Sequence, residues 1–302
     1  MSAVARALPR TRPRARTRAV VRSLALAESR RMLRNPVLWA CTGLSVWMMW
    51  SVVPTPDEWP GASYEEMATC AVPLLFAVSV VAAVSFNRER LDVAADAPVT
   101  EVQRCVGRWV GALPLLAVAA GYAALLAWRQ RDLGGLWLGT EPGRTTEALF
   151  TAGELVQPVV LALLAVSTGA ALGRRLPLVS ALPLLFVLWF LVAFYWLFGA
   201  AAVVPLSILQ VQPVRVFAGT PYADPLRFPS QWLLEAPGEF SEQWSRVVVS
   251  AGLSWWHAVW LLGLSALWGA VTVPRGRARR WLVAAGSVLA VVGVVAQYWV
   301  LP

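Results

Sequence analysis

The chain has 302 residues, 58% of them apolar and only 14% charged, whereas a soluble domain is about 25% charged. That composition excludes a soluble enzyme, a disordered tail and a disulfide-stapled secreted domain. All 26 basic residues are arginine, against 17 acids, for a net charge of +9. Lysine-free coding rich in Ala, Arg, Gly and Trp points to a GC-rich bacterial genome, which is an inference from codon usage and not from physics.

Charge divides the chain into seven uncharged runs of 19 residues or more: 35–56, 67–87, 109–128, 155–173, 176–214, 247–274 and 281–302. About 20 apolar residues, rising 1.5 Å each, cross a hydrocarbon core of about 30 Å. The expected fold is therefore all-α: a polytopic integral membrane protein with about seven transmembrane helices and an N-terminal amphipathic elbow helix.

In chain order, residues 1–16 hold Pro9, Pro13 and five arginines and read as a basic, disordered arm. Residues 17–34 read as an amphipathic interfacial helix. Arg18, Arg22, Arg30 and Arg34 lie on one half of the wheel, where they anchor to an anionic lipid surface. Glu28, Leu26, Leu33 and Arg31 interrupt the pattern. Asn35-Pro36 turns the chain into the first span, with proline at the first helical position. Arg30-Arg31 before an apolar run is similar to a twin-arginine export signal, but no small-residue cleavage site follows and six further runs do, so an anchor is the expected reading.

Residues 35–273 form a six-span core, with spans near 36–53, 67–87, 109–128, 153–173, 177–200 and 252–273. A seventh span follows at 281–301. The long run at 176–214 is read as one span plus an outer extension, because two spans would place Arg275 to Arg280 outside. With seven spans and the N-terminus inside, the inner segments hold 20 Arg and five acids, and the outer segments six Arg and twelve acids. The C-terminus is then outside and the chain resides in the plasma membrane. Trp109 and Trp128 bracket the third span, and Trp281 and Trp299 the seventh, at the spacing of the two interfacial belts. The outer stretch 201–250 opens with an apolar segment broken by Pro205 and is expected to contain a re-entrant or interfacial element.

Several chemistries drop out. Without lysine there is no phosphate-binding loop of the G-x-x-x-x-G-K type. The single histidine, His257, and the unpaired Cys41, Cys70 and Cys105 give no metal site, and no cofactor is expected. The arginines sit at span ends, so nucleic acid is not an expected partner. His257 in Ser254-Trp-Trp-His-Ala-Val-Trp260 reads first as an interfacial girdle residue; a Ser254/His257 nucleophilic pair is the alternative. No acid or base lies at mid-depth in any span, and Glu154 marks the outer edge of the fourth.

The inner segment 88–108 is the most informative. Arg88, Glu89 and Arg90 leave the membrane, and Pro98-Val99-Thr100-Glu101 restarts a helix, with Thr100 as N-cap and Gln103 as its capping-box partner. The segment is expected to form two short helices lying flat under the membrane. Its alternating charges around Leu91, Val93, Val99 and Val102 suit a protein groove better than a lipid surface.

These features together resemble the permease subunit of a type-2 ATP-binding-cassette exporter, in a divergent, actinobacterial-like subgroup. The likeness rests on the basic elbow ending in Glu28-Ser-Arg-Arg-Met-Leu-Arg-Asn-Pro36, on the Arg88-Glu89-Arg90 … Pro98-Val99-Thr100 loop, and on the Pro-broken outer element at 201–214. Asp92-Val-Ala-Ala-Asp96 and the seventh span depart from the family pattern. The resemblance implies a dimer of permeases, homo- or heterodimeric, served by a separate cytoplasmic ATPase that docks on Arg88, Glu89, Arg90, Asp92, Pro98, Thr100 and Glu101. It leaves the substrate unassigned. The rival readings are a membrane enzyme with its site at the outer face and a non-transporting membrane scaffold.

Overall fold

A computed structural model of the chain describes residues 13–54, 61–90, 99–137, 147–192, 204–209, 212, 214–217, 232–235 and 245–301. Ten helices dominate: α1 (Pro13–Leu33), α2 (Pro36–Ser51), α3 (Ala62–Thr69), α4 (Val72–Arg90), α5 (Glu101–Gly111), α6 (Leu113–Asp132), α7 (Ala152–Arg175), α8 (Leu178–Val187), α9 (Ala251–Thr272) and α10 (Arg277–Val300). Four stretches are long and apolar enough to cross a membrane: Ala62–Arg88, Glu101–Asp132, Ala152–Arg175 and Arg277–Val300. The helical class and the membrane character expected from composition are therefore present.

The connecting segments add what the expected all-helical class lacked. Strands β1 (Leu136–Trp137) and β2 (Glu147–Ala148) pair antiparallel. Strands β3 (Val214–Phe217), β4 (Trp232–Glu235) and β5 (Ser245–Val248) form a second antiparallel sheet in the order β3-β5-β4. These strands are only two or four residues long, below the length at which alternation stands out in a sequence.

Local signals set the helix ends. Asn35 caps α2, accepting from the Val37 amide at 3.0 Å, with Pro36 at the first helical position. Helix α1 begins at Pro13, a few residues before the expected start, in a first turn that tolerates proline. Of the expected arm, residues 1–12 lie outside the described residues. Thr100 and Gln103 cap α5 reciprocally, as expected, and Thr151 with Glu154 does the same for α7. Pro183 lies inside α8, which passes into a π-helical turn over Leu188–Val192. The remainder of that expected span, 193–200, lies outside the described residues.

Helix α7 is the hub, touching α4, α6, α8 and α9. Its approach to α4 is made by small residues. A Cβ on Gly169 would overlap the Ser79 backbone, and one on Gly173 the Ala83 backbone. Within a membrane, where lipid is as apolar as leucine, such backbone proximity is a main source of helix association. The equal offset of the two pairs means that α4 and α7 run parallel. Helix α9 also runs parallel to α7, with Gly153 against Ser254 at their starts and Arg174 against Thr272 at their finish. Helix α10 turns back along α9 as an antiparallel hairpin, closed by Gly263, Gly286 and Gly293. Its other faces are largely exposed, as at Trp281, Val291 and Trp299.

One end of the bundle collects α1, the end of α4, α5, the end of α7 and the α9–α10 turn, and is rich in arginine. The other collects the end of α2, helix α3, both sheets and the starts of α7 and α9.

Candidate functional site

At the arginine-rich end helix α1 is built into the bundle. Leu24, Ala25 and Glu28 of α1 lie against Gly107 and Gly111 of α5, and Ser29 Oγ donates to the Gly111 carbonyl at 3.0 Å. Two glycines four residues apart let the helices approach closely. Arg18, Arg22, Arg30 and Arg34 all remain on the exposed side. The side of α1 carrying Leu24, Ala25 and Glu28 is covered by α5, while Leu26 and Ala27 are exposed beside the arginines.

Glu28 interrupted the amphipathic pattern in the sequence; in the structure it is the link. It is buried, accepts from Ser85 Oγ at 2.9 Å, and pairs with Arg31 at 3.2 Å and Arg88 at 3.8 Å. One carboxylate therefore joins α1 to the last turns of α4, where the expected coupling segment begins. No local motif announces this; the only signal was an acid on the apolar side of the wheel.

The residues expected to meet an ATPase are distributed as follows. Arg88 is half-exposed and bound to Glu28. Glu89 and Arg90 complete the backbone of α4, and their side chains, with Asp92 and Pro98, lie outside the described residues. Thr100 is spent on its cap. Glu101 pairs with Arg174 of α7. Arg104 donates to the Val99 carbonyl at 2.9 Å, fixing the approach to the helix.

Helix α5 is separated from α6 by a turn at Ala112, with Pro114 in the first turn of α6, and the two together contain one apolar window long enough to cross a membrane. Helix α5 packs along α1 and against the ends of α7 and α9. Val102, Val106 and Val110 form an exposed stripe along it.

The end of α9 ties this junction to the hub. The Thr272 carbonyl accepts from Arg174 and from Cys105 Sγ, and the Val271 carbonyl accepts from Arg175 at 3.4 Å. These are C-terminal carbonyls with no helical partner, the groups cations satisfy best. Thr272 Oγ1 accepts from Trp109 Nε1 at 3.0 Å. Trp109 therefore points inward, packs on Phe86 with ring centres 5.9 Å apart, and is not the lipid-belt residue expected; Trp128, Trp281 and Trp299 are exposed as such residues should be. Trp109, Ser167, Ser265, Gly269 and Leu282 line an apolar cavity of about 370 Å³.

At the opposite end, His257 is fully buried, with Nδ1 3.0 Å from Gln297 Oε1. It is not a girdle residue, because α10 covers it. Ser254 Oγ accepts from Gln212. Ser254 and His257 make no hydrogen bond to each other, so the nucleophile–base geometry is not assembled. Gln297 also donates to the Pro205 carbonyl at 3.2 Å, holding the short turn Val204–Leu206 against α10. Of the stretch 201–214 expected to hold a re-entrant or interfacial element, residues 204–209, 212 and 214 are described. Among the described residues no group of three or more His, Cys, Asp or Glu gathers as a metal site.

Fold and junction together define a helical protein with membrane-length apolar helices and an N-terminal helix locked to the bundle's arginine-rich end. No protein-family model matches this sequence, and no curated protein is found to be similar to it.

Proposed function

We propose that this chain is the membrane-spanning permease subunit of an ATP-driven exporter of the type-2 ATP-binding-cassette kind, working as a homo- or heterodimer with a separate cytoplasmic ATPase. The observation that carries the reading is the junction of α1, α4 and α5. Helix α5 is braced on one side by α1, at Gly107 and Gly111, and on the other, through Glu101, Arg174 and Thr272, by α7 and α9. A force applied to the 88–108 segment would reach three spans at once. A scaffold has no need of that bracing. The enzyme reading draws no support from Ser254 and His257, which make no hydrogen bond to each other; Ser254 Oγ accepts from Gln212 and His257 Nδ1 lies against Gln297.

The proposal places the protein in the plasma membrane with seven spans, the arginine-rich end inside and the C-terminus outside. The parallel course of α4, α7 and α9 and the return of α10 are what alternating spans require, and the arginine bias sets the direction. A reporter fused after Pro302 is expected to be active only outside the cytoplasm; cytoplasmic activity would overturn the orientation.

The coupling assignment is tested by the double change Glu89→Arg with Asp92→Arg. Rim charges matter little one at a time, so two are reversed together. The expected result is loss of co-purifying ATPase and of export, with membrane insertion unchanged. Retention of both would make 88–108 a connector.

A further inference from the structure

The end of the bundle away from the arginines holds a pocket that the coupling mechanism does not use. It lies between α3, α6, the start of α7 and the segment around Leu209 and Gln212, and has a volume of about 30 Å³. Its walls are apolar, including Ala71, Leu126, Phe150 and Leu209, and its polar groups are Glu154, Gln157 and Gln212.

Those polar groups are biased toward acceptors. Glu154 is buried; Oε1 accepts from Tyr64 at 2.7 Å, and Oε2 from the Thr151 amide and hydroxyl, both at 2.8 Å. All three donors are neutral, and among the described residues no cation pairs with this carboxylate. A carboxylate can accept about four hydrogen bonds, so one position remains. Gln157 is also buried. Its Nε2 donates to the Ser254 carbonyl at 2.8 Å, while its buried Oε1 has no partner among the described residues. Gln212 is held by Ser250 and Ser254 and serves as wall. The free polar capacity of the pocket is thus one carboxylate position and one amide oxygen, both acceptors, in apolar surroundings. Such a site is unfavourable when empty and favourable when it holds a cationic donor.

We propose that this pocket binds a small ammonium ion, of the size of ammonium or methylammonium. A bare divalent metal is a poor fit, because calcium takes six to eight oxygen ligands and magnesium a regular octahedron. An ammonium ion is about the size of a water molecule, and a pocket of this volume accepts one. Its donors match Glu154 and Gln157 Oε1, and Leu126, Leu161 and Leu209 close the apolar walls. Phe150, whose ring stands 4.5 Å from that of Tyr64, adds an aromatic wall of the kind that favours cations. This inference goes beyond the exporter reading and does not depend on it.

The test is equilibrium binding to the purified full chain in nanodiscs at neutral pH, with methylammonium as probe and methanol and sodium ion as controls. The expected result is saturable binding of methylammonium, at least about tenfold tighter than methanol, and no competition by sodium. Glu154→Gln keeps the capping box, since glutamine serves at that position, and is expected to weaken binding about tenfold or more, the loss of one charge-assisted contact. Gln157→Leu is expected to weaken it severalfold and decides the matter if the first variant does not fold. Methanol binding as tightly as the amine would leave only a neutral cavity. Binding unchanged in both variants, or no saturable binding, would overturn the proposal and leave a pocket for water. None of these outcomes bears on the ATPase co-purification read by the Glu89/Asp92 double variant.

Discussion

Replacing Gly173 with leucine is expected to leave little folded protein. Gly169 and Gly173 are the points at which α7 meets α4, and even a methyl at either position would overlap the backbone of Ser79 or Ala83. The helices would have to separate along their length. Overpacking costs about 1–3 kcal/mol where side chains can move. Here the obstacle is backbone, so a loss of about 3 kcal/mol or more is expected. Helix α7 is also the hub for α6, α8 and α9, so the displacement cannot stay local. Gly121→Leu on α6 is the matched control, because nothing lies within 4 Å of a Cβ there. Monodispersity and thermal stability in detergent check the prediction. Equal behaviour of the two variants would show that the α4–α7 contact is not what holds the bundle.

Glu28→Lys is expected to detach helix α1 from α4. The native carboxylate sits between Arg31 and Arg88 and accepts from Ser85; the variant places a third cation among the two arginines and forfeits the acceptor. Removing one partner of a fully buried pair costs about 3–5 kcal/mol. Arg88 and Arg31 are 40% and 61% exposed, so screening reduces that to about 1–2 kcal/mol. Glu28→Gln should lose less, since it can still accept from Ser85. A double-mutant cycle of Glu28→Gln with Arg88→Ala is expected to give a coupling of about 0.5–1 kcal/mol, measured by thermal unfolding. Additive effects would mean that the two side chains share only proximity. Within the exporter reading, Glu28→Lys should also reduce export while the ATPase still co-purifies, because the docking segment stays in place and only its brace is lost.

The parts of this protein legible in the sequence are those governed by short range. Run lengths report a membrane thickness, arginine placement reports which ends lie together, and caps such as Asn35-Pro36 and Thr100 with Gln103 are complete within four residues. What the sequence did not reveal depends on partners far along the chain. Glu28 meets Ser85 57 positions away, Trp109 meets Thr272 after 163, and Gln157 reaches the Ser254 carbonyl after 97. On a helical wheel Glu28 is only an exception to a pattern, Trp109 is one of many aromatic residues near a span end, and His257 is one polar residue in a tryptophan-rich stretch. Which neighbour covers each face is decided by packing: α5 covers the elbow, α9 accepts Trp109, and α10 covers His257. Hydropathy tells lipid from water but does not tell lipid from protein, because both surround a helix with hydrocarbon of the same polarity. The membrane class was therefore fixed by composition alone, whereas the elbow junction and the acceptor-lined pocket came into being only when distant helices met.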